Sequence, residues 1–229
     1  MARVLERGVV AFLYRPRVET FAARSLDDVQ GFFVVLAPER GQRARRVRVG
    51  RKRLPDTGRH ERFWAYVERV GTSASEVIAD VGPALYWTKT RGLRHQPGPR
   101  LAGHGVYAIA RHADHVHLAY ALAQPGRRGE VQEELRIAPQ ASYVVAVFAR
   151  STSAAHAPEA RRFVALDPAH LDEPGTEMVL IGSGEAVEDE VGAALDAQSE
   201  EAQGAELLDD LRRALEHAPP APLLQGVWR

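Results

Sequence analysis

The amino-acid sequence predicts an α+β protein with a strand-rich antiparallel body, folded as a sandwich or an open barrel. Short apolar stretches separated by turn residues recur through residues 1–182. Helices do not alternate with these stretches, as they would around a parallel sheet. Residues 183–229 are instead acidic, with helical spacing and then a proline-rich tail. We expect this second part to pack on the body, so that the two form one cooperative unit.

The body is predicted to contain eight strands before residue 150, at residues 8–14, 31–37, 47–54, 63–70, 105–111, 115–122, 130–137 and 142–149. The segment EVQEELRI (130–137) is assigned as a strand because apolar residues alternate in it. Gly126 and Gly129 predict a hairpin turn before that segment. One helix is expected within 73–82, where Ser73 can cap the N-terminus and Glu76 follows three residues later.

The chain after residue 150 is predicted to be organised differently. Small residues at 151–160 indicate a linker or surface loop, followed by the strands RFVALD and TEMVLIG with a helical turn at Asp167–Pro168 between them. Acidic helices are expected at about 185–197 and 204–217. The carboxylates of EAVEDEVG are interpreted as a solvated helix face. The tail from residue 217 is predicted to be extended and to dock on the body through Leu223, Leu224, Val227 and Trp228.

Charge is divided unevenly along the chain although the formal net charge is zero. Residues 1–150 contain 25 basic and 14 acidic side chains, whereas residues 151–229 contain 5 and 16. This division indicates either a basic body that meets a polyanion or an acidic part that neutralises the body internally. The chain has no cysteine, which excludes disulfides and thiolate metal sites. Its N-terminal apolar run, GVVAFLY, is too short to span a bilayer, so we expect a cytoplasmic protein without membrane contact.

Three histidines lie close together in RHADHVHLAY (111–120). In a strand starting at His115, the imidazoles of His115 and His117 share one face, while the apolar residues face the core. His112 or Asp114 in the preceding turn could supply a further ligand. This pattern is typical of a divalent transition-metal site. Acid/base catalysis by paired histidines and a merely polar strand face are the other two interpretations.

Two basic segments are candidates for anion binding. In RARRVRVGRKRLPD (43–56), the side chains of Arg46, Arg48 and Lys52 share one strand parity and could follow a nucleic-acid backbone, or could simply protect an edge strand. In TKTRGLRHQPGPRLAG (88–103), guanidinium and ammonium groups stand among Thr, Gly and Pro, which suits phosphate or carboxylate binding but also a solvated loop. The candidates in this second segment are Lys89, Arg91 and Arg94. Neither segment contains a recognised nucleotide-binding glycine motif.

Residues 88–147 resemble a bacterial protein family of uncharacterised activity. The similarity is in the phrases TKTRG, H-x-H-L-A-Y, G-E-V-Q and S-Y. It extends weakly towards the N-terminus through FLYRPRVE, VQGFFVVLAPE and VGRKRLPD, and it fades after residue 150. The resemblance implies a single co-linear domain and brings no catalytic residue to this chain.

Two functions are compatible with these patterns. The leading hypothesis is a non-enzymatic cytoplasmic binding or regulatory module whose arginine-rich face takes an acidic ligand, either nucleic acid or a protein partner. The alternative is a metal- or histidine-dependent hydrolase that acts on a phosphate ester. In that alternative, His112, His115 and His117 form the centre while Arg91 and Arg94 steer the anion.

Overall fold

A computed structural model of the 229-residue chain describes residues 2–39, 43–149, 162–192, 195, 201–215 and 221–228. Its strands are β1 (Arg3–Pro16), β2 (Val29–Pro38), β3 (Ala44–Val49), β4 (Arg62–Gly71), β5 (Ala84–Thr88), β6 (Gly92–Gln96), β7 (Arg100–His112), β8 (His115–Gln124), β9 (Gln140–Ala149), β10 (Arg162–Ala165) and β11 (Glu177–Gly184). Its helices are α1 (Ala74–Ile78), α2 (Glu130–Glu134), α3 (Val187–Val191), α4 (Glu201–Ala214) and α5 (Ala221–Leu224). Short 3-10 helices cover Leu26–Asp28, Ala79–Val81 and Pro168–Asp172.

Eight antiparallel strands close into a barrel in the order β9, β11, β4, β3, β2, β1, β7 and β8. The ring is closed by β8 pairing with β9, from Ala121 opposite Gln140 to His117 opposite Val144. Strand β10 pairs with the other end of β9. The predicted α+β class, with a sandwich or open barrel, is therefore wrong. Strands outnumber helices among the described residues, so the fold is a mostly-β closed barrel, in which the eight strands leave no open edge.

Both sides of the barrel wall are apolar over much of its area. In β1, Val10, Phe12 and Tyr14 belong to the interior core, whereas the alternate residues Val9 and Leu13 belong to a second cluster on the outside. A strand that is buried on both faces has a continuous apolar run rather than an alternating one. The run GVVAFLY in β1 therefore shows no alternation of apolar and polar residues.

Helices cover part of the outer wall. The second cluster contains Val77 of α1, Leu211 of α4 and Leu223 of α5, together with outward side chains of β1 and β2. The predicted helix near Ser73 is confirmed, because the Ser73 side chain accepts a hydrogen bond from the Glu76 amide. No helix among the described residues has the length and apolar character needed to cross a membrane.

The segment 130–137 begins with a helix, so the predicted strand and the preceding hairpin turn are wrong. Val131 and Leu135 are four residues apart and both reach the core, which an alternating pattern cannot distinguish from one turn of helix. The buried Gln132 amide donates to the carbonyls of Ala102 and Pro222. The helix therefore joins the barrel to the C-terminal tail.

The described part of the tail packs on the barrel, but two details of the prediction are wrong: the tail is helical at α5, and Leu224 does not dock. Leu223 and Trp228 are buried, whereas Leu224 is 56% exposed. The Trp228 ring packs edge-on against Tyr14, with centroids 5.1 Å apart, and its Nε1 donates to Glu134. The predicted linker at 151–160 lies outside the described residues, as do parts of the two predicted acidic helices.

Candidate functional site

Two of the three clustered histidines meet on the outer wall of the barrel. Strands β7 and β8 form a hairpin with a two-residue turn, in which Ala113 has a positive φ of 54° and His112 pairs with His115. Along β8, Val116 and Tyr120 point into the core, so His117 projects outwards. The predicted division of the strand into an apolar and a histidine face is confirmed. His117 is nevertheless buried, with its side chain only 4% exposed.

Helix α3 covers His117 and brings a carboxylate to it. Val187 and Val191, four residues apart, pack against Ala108, Ala110 and Ala119 of the wall. The small alanine side chains allow the helix to lie close to the strands. Glu190, on the same short helix, thereby reaches the imidazoles.

The imidazoles of His112 and His117 converge on one carboxylate oxygen of Glu190. Glu190 Oε2 lies 3.3 Å from His117 Nε2 and 3.4 Å from His112 Nδ1. One potential ligand atom from each residue falls within 4.8 Å of the other two. The sequence does not predict Glu190 as a site residue, because its acidic segment has the composition of a solvated helix face. Only its tertiary contact distinguishes it from its neighbours.

Two serines fix the orientation of this cluster. The Ser142 hydroxyl lies 3.0 Å from His117 Nδ1, which leaves Nε2 facing the carboxylate. The Ser183 hydroxyl donates to Glu190 Oε1 at 3.1 Å, which leaves Oε2 facing the histidines. Ser142, His117 and Glu190 resemble an acyl-transfer triad in composition, but Ser142 is completely buried and no substrate can reach it. We therefore assign Ser142 a positioning role.

Burial lowers the pKa of His117 below its ordinary value, and the Glu190 carboxylate opposes this shift without cancelling it. The positive charge of His112 and His115, when present, lowers it further. The lowered pKa favours the uncharged form of the His117 ring. An uncharged imidazole nitrogen is able to bind a metal ion.

The other two predicted metal candidates lie apart from this cluster. His115 and Asp114 are exposed at the hairpin tip, where His115 Nε2 lies 3.4 Å from Asp114 Oδ1. His115 shares the strand parity of His117 but lies beyond the cover of α3. Strand parity alone therefore does not predict which imidazoles converge.

Of the predicted anion-binding side chains on β3, Arg46 is buried, with only 1% of its side chain exposed. Its guanidinium group forms ion pairs with Glu68 at 2.9 Å and with Asp80 at 2.7 Å, and it also donates to the Val77 carbonyl. These bonds occupy all three of its nitrogens. The group is therefore not presented to an external anion.

The next two candidates also have partners within the protein. Arg48 forms a 3.1 Å ion pair with Glu68 and lies over the Phe33 ring. Lys52 lies after β3 ends, in a turn with a positive φ of 62°, and donates to the Val29 carbonyl. The predicted shared strand parity of these residues therefore ends before Lys52.

The remaining three candidates lie on a hairpin that the sequence does not predict. Strands β5 and β6 pair from Ala84 opposite Gln96 to Thr88 opposite Gly92 and form a separate two-stranded sheet. Lys89 and Arg91 lie in its three-residue turn and are exposed. Arg94 is on β6, with its Nε 3.8 Å from Glu19. Within the part of the chain that the structure describes, no ion pair involves Lys89 or Arg91.

This hairpin exposes large apolar side chains on both of its faces. Trp87 is 75% exposed and lies opposite Leu93, and Leu85 lies opposite His95 on the same face. The His95 ring stacks on Phe21, with centroids 5.0 Å apart and planes 5° from parallel. Tyr86 and Arg94 form the corresponding pair on the other face. The strand ALYWT escapes prediction because its apolar run is short and precedes a turn-like segment.

The histidine cluster and the hairpin are separate surfaces. The β5–β6 hairpin ends at Gln96, close to Arg100, where β7 begins. His112 lies at the other end of β7. Twelve strand intervals correspond to about 40 Å along the chain. Arg91 and Arg94 are therefore not placed to steer an anion to the histidines, which is what the hydrolase hypothesis requires of them.

These observations define a closed antiparallel β-barrel with a histidine–carboxylate cluster on its outer wall and an aromatic, basic hairpin next to the opposite end of β7. Comparison of the chain with protein-family models, with curated proteins and with solved structures gave no match.

Proposed function

We propose that this protein is a binding module whose β5–β6 hairpin takes single-stranded nucleic acid. The observation that carries the proposal is the exposure of Trp87 and Tyr86 on a hairpin whose turn holds Lys89 and Arg91. Aromatic planes and cations at close spacing are the features that bind single strands without sequence preference, because each nucleotide supplies a base to stack and a phosphate to neutralise.

The apolar residues of the hairpin favour a ligand with planar groups. Trp87, Leu93 and the stacked rings of His95 and Phe21 lie along one face of a two-stranded sheet. A base can stack on an exposed indole, and this interaction contributes about 1–3 kcal/mol per base in single-strand complexes. The pair of Tyr86 and Arg94 offers a second stacking position on the other face.

The hairpin is anchored at its base and open at its tip. The Gln96 side chain donates to the Pro16 carbonyl at 2.9 Å, and Arg15 donates to the carbonyls of Gly82 and Pro97. The Glu19 amide donates to the His95 carbonyl at 2.8 Å. These bonds hold the hairpin relative to the barrel and leave the cations of the turn to bind a ligand.

The test measures the affinity of the full chain for labelled single-stranded DNA and RNA of mixed sequence, at about 50 mM and about 200 mM salt. We expect Trp87→Ala to weaken binding about tenfold, as the loss of one stacked base predicts. Trp64→Ala is the matched control, because Trp64 is 51% exposed but belongs to β4 of the barrel, where it stacks on Phe148, and is not part of the hairpin. It should leave affinity unchanged.

The cations of the turn are tested through the salt dependence. The double variant Lys89→Ala/Arg91→Ala should reduce the slope of log K against log salt by about 0.7 for each phosphate that is no longer neutralised. Absence of any binding at the lower salt concentration, or equal effects of Trp87→Ala and Trp64→Ala, would contradict the proposal. An acidic protein partner would then be the better candidate for this surface.

A further inference from the structure

We infer that His112, His117 and Glu190 form a binding site for a divalent transition-metal ion, and that Zn²⁺ matches it best. The site lies on the barrel wall under α3 and does not include the β5–β6 hairpin. It is therefore independent of nucleic-acid binding. Four features of the described residues support it: donor spacing, the orienting serines, the donor types and the exposure of His112.

Two of the three separations between donor atoms agree with tetrahedral coordination, and all three donor atoms lie within 4.8 Å of one another. Zinc bonds to nitrogen and oxygen are about 2.0–2.1 Å long, so two ligands of one tetrahedral ion lie about 3.3–3.4 Å apart. The two histidine nitrogens lie 3.3 Å and 3.4 Å from Glu190 Oε2. Direct charge-assisted hydrogen bonds are shorter, at about 2.7–2.9 Å. The observed separations therefore fit ligands of a shared cation better than a hydrogen-bonded pair.

The orienting serines correspond to the outer shell that metal ligands require. Histidine ligands almost always use their second ring nitrogen in a hydrogen bond that fixes the ring, and ligating carboxylates are also hydrogen-bonded. Ser142 occupies this position at His117 Nδ1, and Ser183 occupies it at Glu190 Oε1. Both serines lie on strands that pack beside α3, so the backbone of the barrel determines where the ligand atoms point.

The donor types select the class of ion. Two imidazoles and one carboxylate favour zinc and its neighbours among the transition metals, whereas calcium and magnesium prefer all-oxygen sites. The side chain of His112 is 47% exposed, so the cluster has one side towards solvent. A water molecule or an anion can complete the coordination from that side.

The experiment uses the full chain after removal of metal with a chelator. Titration with Zn²⁺ by calorimetry should give one equivalent, and Co²⁺ should give the intense visible absorption that tetrahedral cobalt produces. His112→Ala and Glu190→Gln should each weaken Zn²⁺ binding at least tenfold. Ser142→Ala should weaken it by about 10–100-fold through the orientation of His117.

His115→Ala is the matched control, since His115 lies on the same β7–β8 hairpin but is exposed at its tip, beside Asp114, and supplies none of the three donor atoms. It should leave the affinity and the cobalt spectrum unchanged. Binding that is lost with His115→Ala, or that is unaltered by both His112→Ala and Glu190→Gln, would overturn the proposal. Failure of the wild-type chain to bind either ion would overturn it as well. His117→Ala is less informative, because that side chain is buried and its loss also perturbs packing.

Discussion

Basic side chains occur in two regions of this barrel with opposite environments. On β3, Arg45 forms ion pairs with Glu6 at 2.6 Å and Asp172 at 2.8 Å, and Arg46 is held by Glu68 and Asp80. In the β5–β6 turn, Lys89 and Arg91 are exposed, and no ion pair involves them within the described chain. Both regions have the same sequence character, a cluster of cations near apolar strands.

What differs is the structure that packs over each cluster. Helix α1 and the following 3-10 helix bring the Val77 carbonyl and the Asp80 carboxylate onto Arg46. These partners are more than 30 residues away in the sequence. No described element covers the tip of the hairpin. Charge density along the sequence therefore locates cations but does not indicate which of them remain available for a ligand.

The largest expected effect comes from the buried arginine. Arg46→Ala leaves Glu68 and Asp80 without their main partner. Removal of one member of a fully buried ion pair costs about 3–5 kcal/mol, and because the two carboxylates are 20% and 45% exposed we expect a loss at the lower end of that range. We expect a correspondingly lower free energy of unfolding from urea denaturation, with unchanged affinity for oligonucleotides in whatever fraction remains folded.

Arg48→Ala is the control for this prediction. Arg48 pairs with the same Glu68 carboxylate, but its side chain is 36% exposed, and exposed ion pairs contribute under about 1 kcal/mol. Equal losses in the two variants would show that burial does not explain the contrast between β3 and the hairpin.

Trp228 and Trp87 show the same contrast between a covered and an exposed side chain, although neither carries a charge. Trp228 is 7% exposed and closes the core against Tyr14, whereas Trp87 is 75% exposed on the hairpin. Trp228→Ala should destabilise the protein by about 3 kcal/mol, in the range for large-to-small changes in a core. Trp87→Ala should change stability by under about 0.5 kcal/mol. Thermal and urea unfolding of both variants test this, and a large loss for Trp87→Ala would show that the hairpin face is covered.

The strands of the barrel could be predicted from the sequence, but its closure could not. Local patterns identify β1, β2, β8 and β9, because each has an apolar run of strand length between turn signals. Closure depends on β8 meeting β9, and the intervening segment 130–137 fits a strand and a helix equally well. Gln132 favours the helix over the strand, because its buried side-chain amide donates hydrogen bonds to carbonyls of β7 and the tail.

The candidate metal site could be predicted only in part for a related reason. The spacing of His115 and His117 correctly predicts that both imidazoles leave the core face. Which of them meets Glu190 depends on where α3 lies, and small wall residues such as Ala119 allow the helix to lie there. Glu190 has no local signal, since its neighbours Glu188 and Asp189 are equally acidic.

A smaller effect is expected at the connection between β3 and β4. Arg53 forms a two-pronged ion pair with Glu61 at 2.7 Å and 3.1 Å, and hydrogen bonds from Arg53 hold the pKa of Glu61 at about 2, below its ordinary 4.5. Because this pKa is depressed in the folded state, the ion pair stabilises the protein above about pH 4.5, and this contribution is lost as the pH falls towards 2.

Glu61→Gln should therefore cost about 1 kcal/mol at neutral pH and should reduce the difference in stability between pH 5 and pH 3. Urea midpoints at these pH values provide the measurement. Parallel losses of stability on acidification in the variant and the wild type would assign the acid sensitivity to other carboxylates.

The smallest effect on stability is expected at the tip of the hairpin. The turn is held by the Thr88 hydroxyl, which accepts from the Arg91 amide at 3.1 Å and donates to the Gly92 carbonyl at 3.2 Å. Neither bond uses the side chain of Lys89 or Arg91. The double variant Lys89→Ala/Arg91→Ala should therefore unfold within about 0.5 kcal/mol of the wild type. If it still loses affinity for oligonucleotides, the weaker binding reports a direct role of these cations at the ligand and not misfolding. A destabilisation above about 1 kcal/mol would instead place these cations in the class of Arg46 and would remove the distinction between the two regions.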